Sequence, residues 1–303
     1  MMQTEKIKLY KVRDFGDKFN ATFDFAKQNF KPMFKFMTYF LLPLSLILGL
    51  LMSGMTTAMI AMGNGTAANS MSDGLLARYG GMLIIIYAAV IVVATLVYSF
   101  VQVYEQRDGG LQDLRWADLK AFFKRNCKRL ILLFIISLLL GFAAMMVIVL
   151  LAVVSLWTLA LTIPLFIVGL LPLCYWPSIY LLEGKKLWPA FIRCYHLGMP
   201  TWGGIFVITL VMYLLVQVVT MVFAIPYYIV IGVTAFMGID GSIGGFGAVA
   251  LQFLSFLSTT LLYFASLTLS SLTILALIYQ YSHAAEKIDG MSVDRRINEF
   301  DTF

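Results

Sequence analysis

Residues Asp113 to Leu182 read DLRWADLKAFFKRNCKR and then LILLFIISLLLGFAAMMVIVLLAVVSLWTLALTIPLFIVGLLPLCYWPSIYLL. From Leu130 onward, about fifty residues pass without one Asp, Glu, Lys or Arg. A single membrane crossing takes roughly 20 apolar residues, so this run is long enough to enter a bilayer, turn and return. It predicts a helical hairpin led by a polar, aromatic and basic segment. The same unit occurs once before it and once after it, and together the three account for nearly the whole chain.

Working outward, composition agrees. Hydrophobic residues are 61% of the chain and charged residues 13%, against roughly half and a quarter in soluble domains. The expected fold is all-α: a polytopic integral membrane protein with six transmembrane helices as three hairpins, each preceded by an amphipathic cytoplasmic helix. The expected organisation is a cytoplasmic amphipathic segment over residues 1–35, a six-helix transmembrane domain over 36–282 and a cytoplasmic tail over 283–303.

The net charge of +6 raises the question of nucleic acid. Placement of the basic residues answers it. Eight Lys and Arg precede Phe36, seven lie between Glu105 and Arg129, three between Glu183 and Arg193, and three in the tail, leaving Arg78 alone on the other side of six alternating spans. That asymmetry is the positive-inside rule. It predicts both termini in the cytoplasm of the cell inner membrane and outer loops near Asn64–Arg78, Ser155–Thr158 and Gly238–Gly247. Nucleic-acid binding is not expected.

Before the first span, Phe15, Phe19, Phe23, Ala26 and Phe30 recur at steps of three or four, predicting a helix over 12–30 that Pro32 ends or bends. Its rings suit the acyl boundary and its lysines the headgroups; packing on the cytoplasmic ends of the bundle is the alternative. Spans are expected near Phe36–Met62, Gly80–Tyr104, Trp202–Val233 and Ala248–Ser282, besides the central pair. In the first, Ser45, Gly49, Ser53, Thr57 and Ala61 form a small-residue stripe that lets a neighbouring helix approach closely. Pro164, Pro172 and Pro177 predict a kinked or broken fourth span. The third cytoplasmic segment, Glu183–Thr201, has Pro189 in its first helical turn and a Gly198–Pro200 stop.

Chemistry is sparse. No Asp, Glu, Lys, Arg or His falls inside an expected span, which argues against proton relays, ion-coupled transport and intramembrane hydrolysis. Ser266 and Cys174 have no charged group at depth to activate them. Cys127, Cys174 and Cys194 lack metal-like spacing, and His196 and His283 lack companion ligands. No cofactor, metal or enzymatic activity is expected.

Two sets of residues stand as candidate sites. Lys120, Lys124, Arg125, Lys128, Arg129, Trp116, Phe123 and Trp188 offer cations and rings at one membrane surface, suited to anionic lipid or to a membrane or cytoplasmic protein partner. Pro164 and Pro172 in the broken span, with Gln217, Gln252, Ser255 and Thr259, would line a polar cavity for a neutral or amphiphilic solute. The first set favours a non-enzymatic membrane module, the second a transporter or lipid-moving protein.

The segments FDFAKQNFKPMFKF, ADLKAFFKRNCKR and LWPAFIRCYHLG, each leading a hairpin, resemble those of an uncharacterised class of bacterial six-span membrane proteins. They are similar also to the membrane domain found with glycerophosphodiester phosphodiesterases, whose catalytic domain has no room here. The resemblance implies a membrane module near lipid or envelope processes and carries over no catalytic residue.

Overall fold

In the computed structural model, which describes residues 6–63, 72–107, 109–155, 157–239 and 245–292, regular structure is helical throughout. The helices are α1 (Phe15–Gln28), α2 (Phe30–Gly63), α3 (Ser72–Gln106), α4 (Trp116–Val154), α5 (Trp157–Leu170), a 3-10 turn (Leu171–Tyr175), α6 (Trp176–Leu182), α7 (Leu187–Gly198), α8 (Trp202–Ile239) and α9 (Gly245–Asp289). Among the described residues, six stretches are long and apolar enough to cross a membrane: Phe30–Met55, Ala77–Gln106, Trp116–Val153, Trp157–Leu182, Trp202–Phe236 and Val249–Asp289. Of the expected outer loops, residues 64–71 and 240–244 lie outside the described residues; the rest of the first opens α3 at Ser72, and the flanks of the third belong to the end of α8 and the start of α9, so the spans run further than expected, while the central turn is short, at Ser155.

Local chemistry sets the breaks. Pro32 has no N–H to give to Gln28, so the chain leaves helical geometry at Asn29 (φ −109°, ψ 18°) and restarts at Phe30 with the proline in the first turn. From Trp116 to Leu140, by contrast, no Pro or Gly occurs. The second amphipathic segment is therefore no separate helix but the opening turns of α4, which runs 39 residues, or about 58 Å.

The fourth span breaks as its prolines predict, into α5, the 3-10 turn at Pro172 and α6 with Pro177 in its first turn. Pro172 removes the donor due to the Val168 carbonyl. That carbonyl instead accepts from the Trp202 indole at 3.2 Å, and the Gly169 carbonyl accepts from the Tyr195 hydroxyl at 3.1 Å. Gly198 fits the bend because it lacks a side chain: a Cβ there would lie 2.6 Å from Cβ of Pro172. Pro164, like Pro43 and Pro226, is carried within a helix.

The chain divides into two compact units: residues 1–33, 94–213 and 272–303, and residues 34–93 and 214–271. In the first, Leu96, Phe100, Leu111, Leu119, Tyr175, Ile179, Leu197, Ile205 and Tyr281 are fully buried. Helix α9, at 45 residues and about 68 Å, far exceeds a hydrocarbon core of roughly 30 Å. Its segment from Leu275 to Ala285 is buried in protein almost throughout, Gln280 and Ser282 included.

Helix α1 forms over the expected range but presents a different face. Lys18, Ala21, Thr22 and Phe25 are its buried residues, while Phe15 and Phe30 are exposed. Phe19 and Phe23 are half-buried against Ile208, Met212 and Ala276. The helix thus packs on the bundle, as the alternative reading allowed. Burial, and then the charge of Lys287, lowers the Lys18 pKa. Residues before α1 are docked as well: Leu9, Tyr10 and Arg13 are buried, and the Arg13 backbone N–H donates to Nδ1 of His283 at 3.1 Å.

In the second unit, Ser45 and Ser53 are buried and Gly49 meets Thr260 so closely that no Cβ fits. This is the small-residue packing face. Thr57 and Ala61 continue the helix, with side chains outside the described set.

Candidate functional site

The basic segment of α4 is held by its ends and inner face. The Asp118 carboxylate accepts the Arg115 backbone N–H at 3.2 Å, closing the first turn. The preceding loop needs left-handed backbone at Gly110 (φ 62°) and Asp113 (φ 51°). Leu111, Leu114 and Leu119 then anchor it in the core. Two turns on from Leu119, the fully buried Asn126 amide donates to Ser99 Oγ at 3.0 Å and to Gln102 Oε1 at 2.9 Å.

With Leu119, Asn126, Leu130 and Leu133 facing inward, the cations fall into two groups. Lys120, Lys124 and Lys128, at steps of four, are exposed on the outer face. Trp116 is exposed near them, its ring 5.6 Å from that of the half-buried Phe123. Arg125 and Arg129 turn toward α3 and α6. Arg125 donates to Gln102 Oε1 at 3.3 Å. Arg129 donates to the Gly184 and Lys185 carbonyls at 3.1 and 3.0 Å and lies 4.3 Å over the Tyr180 ring. Trp188, on α7, is 70% exposed and stacks on Phe191.

Beside this face is a charged network that sequence reasoning missed. Glu183, whose side chain is 3% exposed, accepts from Arg193 Nε at 2.8 Å and from the Tyr281 hydroxyl at 2.6 Å, and pairs with Lys185 at 3.2 Å. Arg193 also holds Asp289 at 2.7 Å. Burial draws the Arg193 pKa down, but the hydrogen bond and charge of Glu183, with Asp289, outweigh it and leave it raised. The neighbouring Cys194 thiol is pushed up to about 12, chiefly by burial and then by the Glu183 charge, so it is a poor nucleophile. In the sequence these carboxylates look scattered, and the ten residues between Glu183 and Arg193 match no pairing rule.

The second set of candidates divides between the two units. In the first, Pro164 is exposed and Pro172 is buried against Gly198. In the second, the Thr259 hydroxyl bonds its own helix at Ser255 O (2.7 Å) and lies 3.2 Å from Gly49 O, while Ser255 is buried and Gln217 and Gln252 are exposed. Ser255 and Thr259 thus serve helix packing in their unit.

Among the described residues, no cluster of three or more His, Cys, Asp and Glu could hold a metal ion. Among the described residues, six long apolar helical stretches on a frame without strands define an all-α, polytopic membrane protein. No protein-family model, no curated protein and no solved structure matches the chain.

Proposed function

We propose that this protein is a non-enzymatic module of the bacterial inner membrane, with both termini cytoplasmic, that binds anionic lipid at its cytoplasmic face. The observation that carries this reading is the exposed Lys120, Lys124 and Lys128 stripe, with exposed Trp116 on the same helix and exposed Trp188 on α7. Cations near an anionic surface each contribute about 1 kcal/mol, and indole rings anchor at headgroup level. The one-sided distribution of Lys and Arg supports the orientation. The resemblance to membrane domains found with glycerophosphodiester phosphodiesterases is consistent with a lipid-facing role.

The test replaces Lys120, Lys124, Arg125, Lys128 and Arg129 by Gln and measures retention of phosphatidylglycerol over phosphatidylcholine. The preference should fall at least tenfold. Unchanged retention with loss of a co-purifying protein would assign the face to a protein partner, and no change in either would leave these charges a topological role only. Transport of a neutral solute is the competing reading. Pro172 packed on Gly198 and Thr259 packed on α2 weigh against it, and Pro172→Ala and Gln252→Leu should leave solute flux in reconstituted vesicles unchanged; a fall in both would restore it.

A further inference from the structure

In the first unit a cavity of about 310 Å³ lies among the end of α3, the opening turns of α4 and the end of α6, with Leu9 and Tyr10 on one side. Small-molecule sites span roughly 300–1,000 Å³, so the space is of a size for one lipid headgroup. Its polar lining includes Gln102, Gln106, Glu105, Arg125, Arg129 and Glu183. Glu183 is already neutralised by Arg193 and Lys185.

The arginines are positioned but not used up. Each is pinned through Nη2, Arg125 by Gln102 and Arg129 by two loop carbonyls. Among the described residues no hydrogen bond engages Nε or Nη1 of either. Four residues apart on α4, they place two guanidinium forks one turn apart on the same cavity. A planar fork matches a phosphate group, which a lysine meets only as a point charge.

Depth follows from the sequence. Glu105 is the first charge after the uncharged run 79–104, Arg129 the last before the run 130–182, and Glu183 the first after it. All three line this cavity. It therefore sits where the apolar spans end, at the level of lipid phosphates.

We propose that this cavity binds the phosphate of one anionic phospholipid headgroup, with Arg125 and Arg129 as its ligands. The proposal rests on the lipid-binding reading above and adds that one lipid is held stoichiometrically by guanidinium geometry, apart from the salt-sensitive attraction of the exposed lysines.

The full-length protein in maltoside is titrated with dihexanoyl phosphatidylglycerol, dihexanoyl phosphatidylcholine and inorganic phosphate, with occupancy read by native mass spectrometry. The wild type should bind one phosphatidylglycerol saturably. Arg125→Lys with Arg129→Lys keeps the charge but loses the forks, and should weaken that site about tenfold or more, since hydrogen bonds to charged groups are the strong ones. Gln106→Trp, at an exposed position, should do the same by filling the space. Lys120→Gln, Lys124→Gln and Lys128→Gln together should leave the single site within about twofold while reducing association with phosphatidylglycerol vesicles. If the double Lys variant and Gln106→Trp bind as the wild type does while the triple Gln variant alone loses binding, the cavity is overturned and the charge-based reading stands. Equal binding of phosphatidylcholine and phosphatidylglycerol by the wild type, with no vesicle preference, overturns both. Inorganic phosphate filling the site as tightly as phosphatidylglycerol overturns the lipid assignment in favour of the free anion.

Discussion

At the scale of single residues, Glu183 and Arg193 form a shielded ion pair in the first unit. The Glu183 carboxylate is shielded from solvent and held by Arg193, Lys185 and Tyr281. Removing one member of such a pair strands a buried charge, which is costlier than replacing both. Arg193→Met is expected to destabilise by about 2–4 kcal/mol, read as a lowered thermal midpoint in detergent. Glu183→Gln combined with Arg193→Met should recover part of the loss, because glutamine still accepts from Tyr281 and no charge is stranded at the most buried position, while Asp289, 21% exposed, loses Arg193 in both variants. If the double variant is as unstable as the sum of the singles, the network contributes by packing alone. Sequence gave little notice of it, since the partners lie 10 and 98 residues from Glu183.

At the scale of elements, α2 and α9 in the second unit meet by close approach at Gly49. Gly49 lies against Thr260, and the Thr259 hydroxyl reaches the Gly49 carbonyl. Interhelical hydrogen bonds in membranes average about 0.6 kcal/mol, whereas forcing extra atoms into a tight contact costs about 1–3 kcal/mol. Gly49→Leu should therefore lower stability well beyond Thr259→Val, in thermal or denaturant unfolding of the detergent-solubilised protein. Equal effects would mean that the hydroxyl, and not the missing side chain, holds this contact. The small stripe and the proline break were legible because each is a local rule: four-residue spacing marks one helix face, and a missing N–H acts at a known offset. Which groups repair the break was not legible, for Tyr195 and Trp202 reach the freed carbonyls across 26 and 34 residues.

For the whole molecule, orientation is the first quantity to measure. The charge distribution predicts that Cys introduced at Ala77 or Ser155, in a variant lacking Cys127, Cys174 and Cys194, is labelled by a membrane-impermeant thiol reagent in intact cells. Cys introduced at Gly109 should be labelled only after the membrane is opened. Labelling of all three from outside, or of Gly109 alone, would overturn the six-span, termini-inside arrangement.

Sequence by itself determined that this chain spans a membrane, that it does so six times in helices, and where prolines interrupt them. Hydropathy, charge placement and missing donors are properties of short segments, and lipid leaves the backbone little choice but to bond within its own helix. Tertiary structure alone decided which face of α1 is buried, how α4 sorts its cations and where Glu183 finds its partners. It also decided that the Leu275–Ala285 segment of α9 is wrapped in protein. The physical reason is that apolar side chains suit lipid tails and a protein interior equally well. A run of uncharged residues therefore shows that a segment avoids water, and only its packed neighbours show what it meets instead.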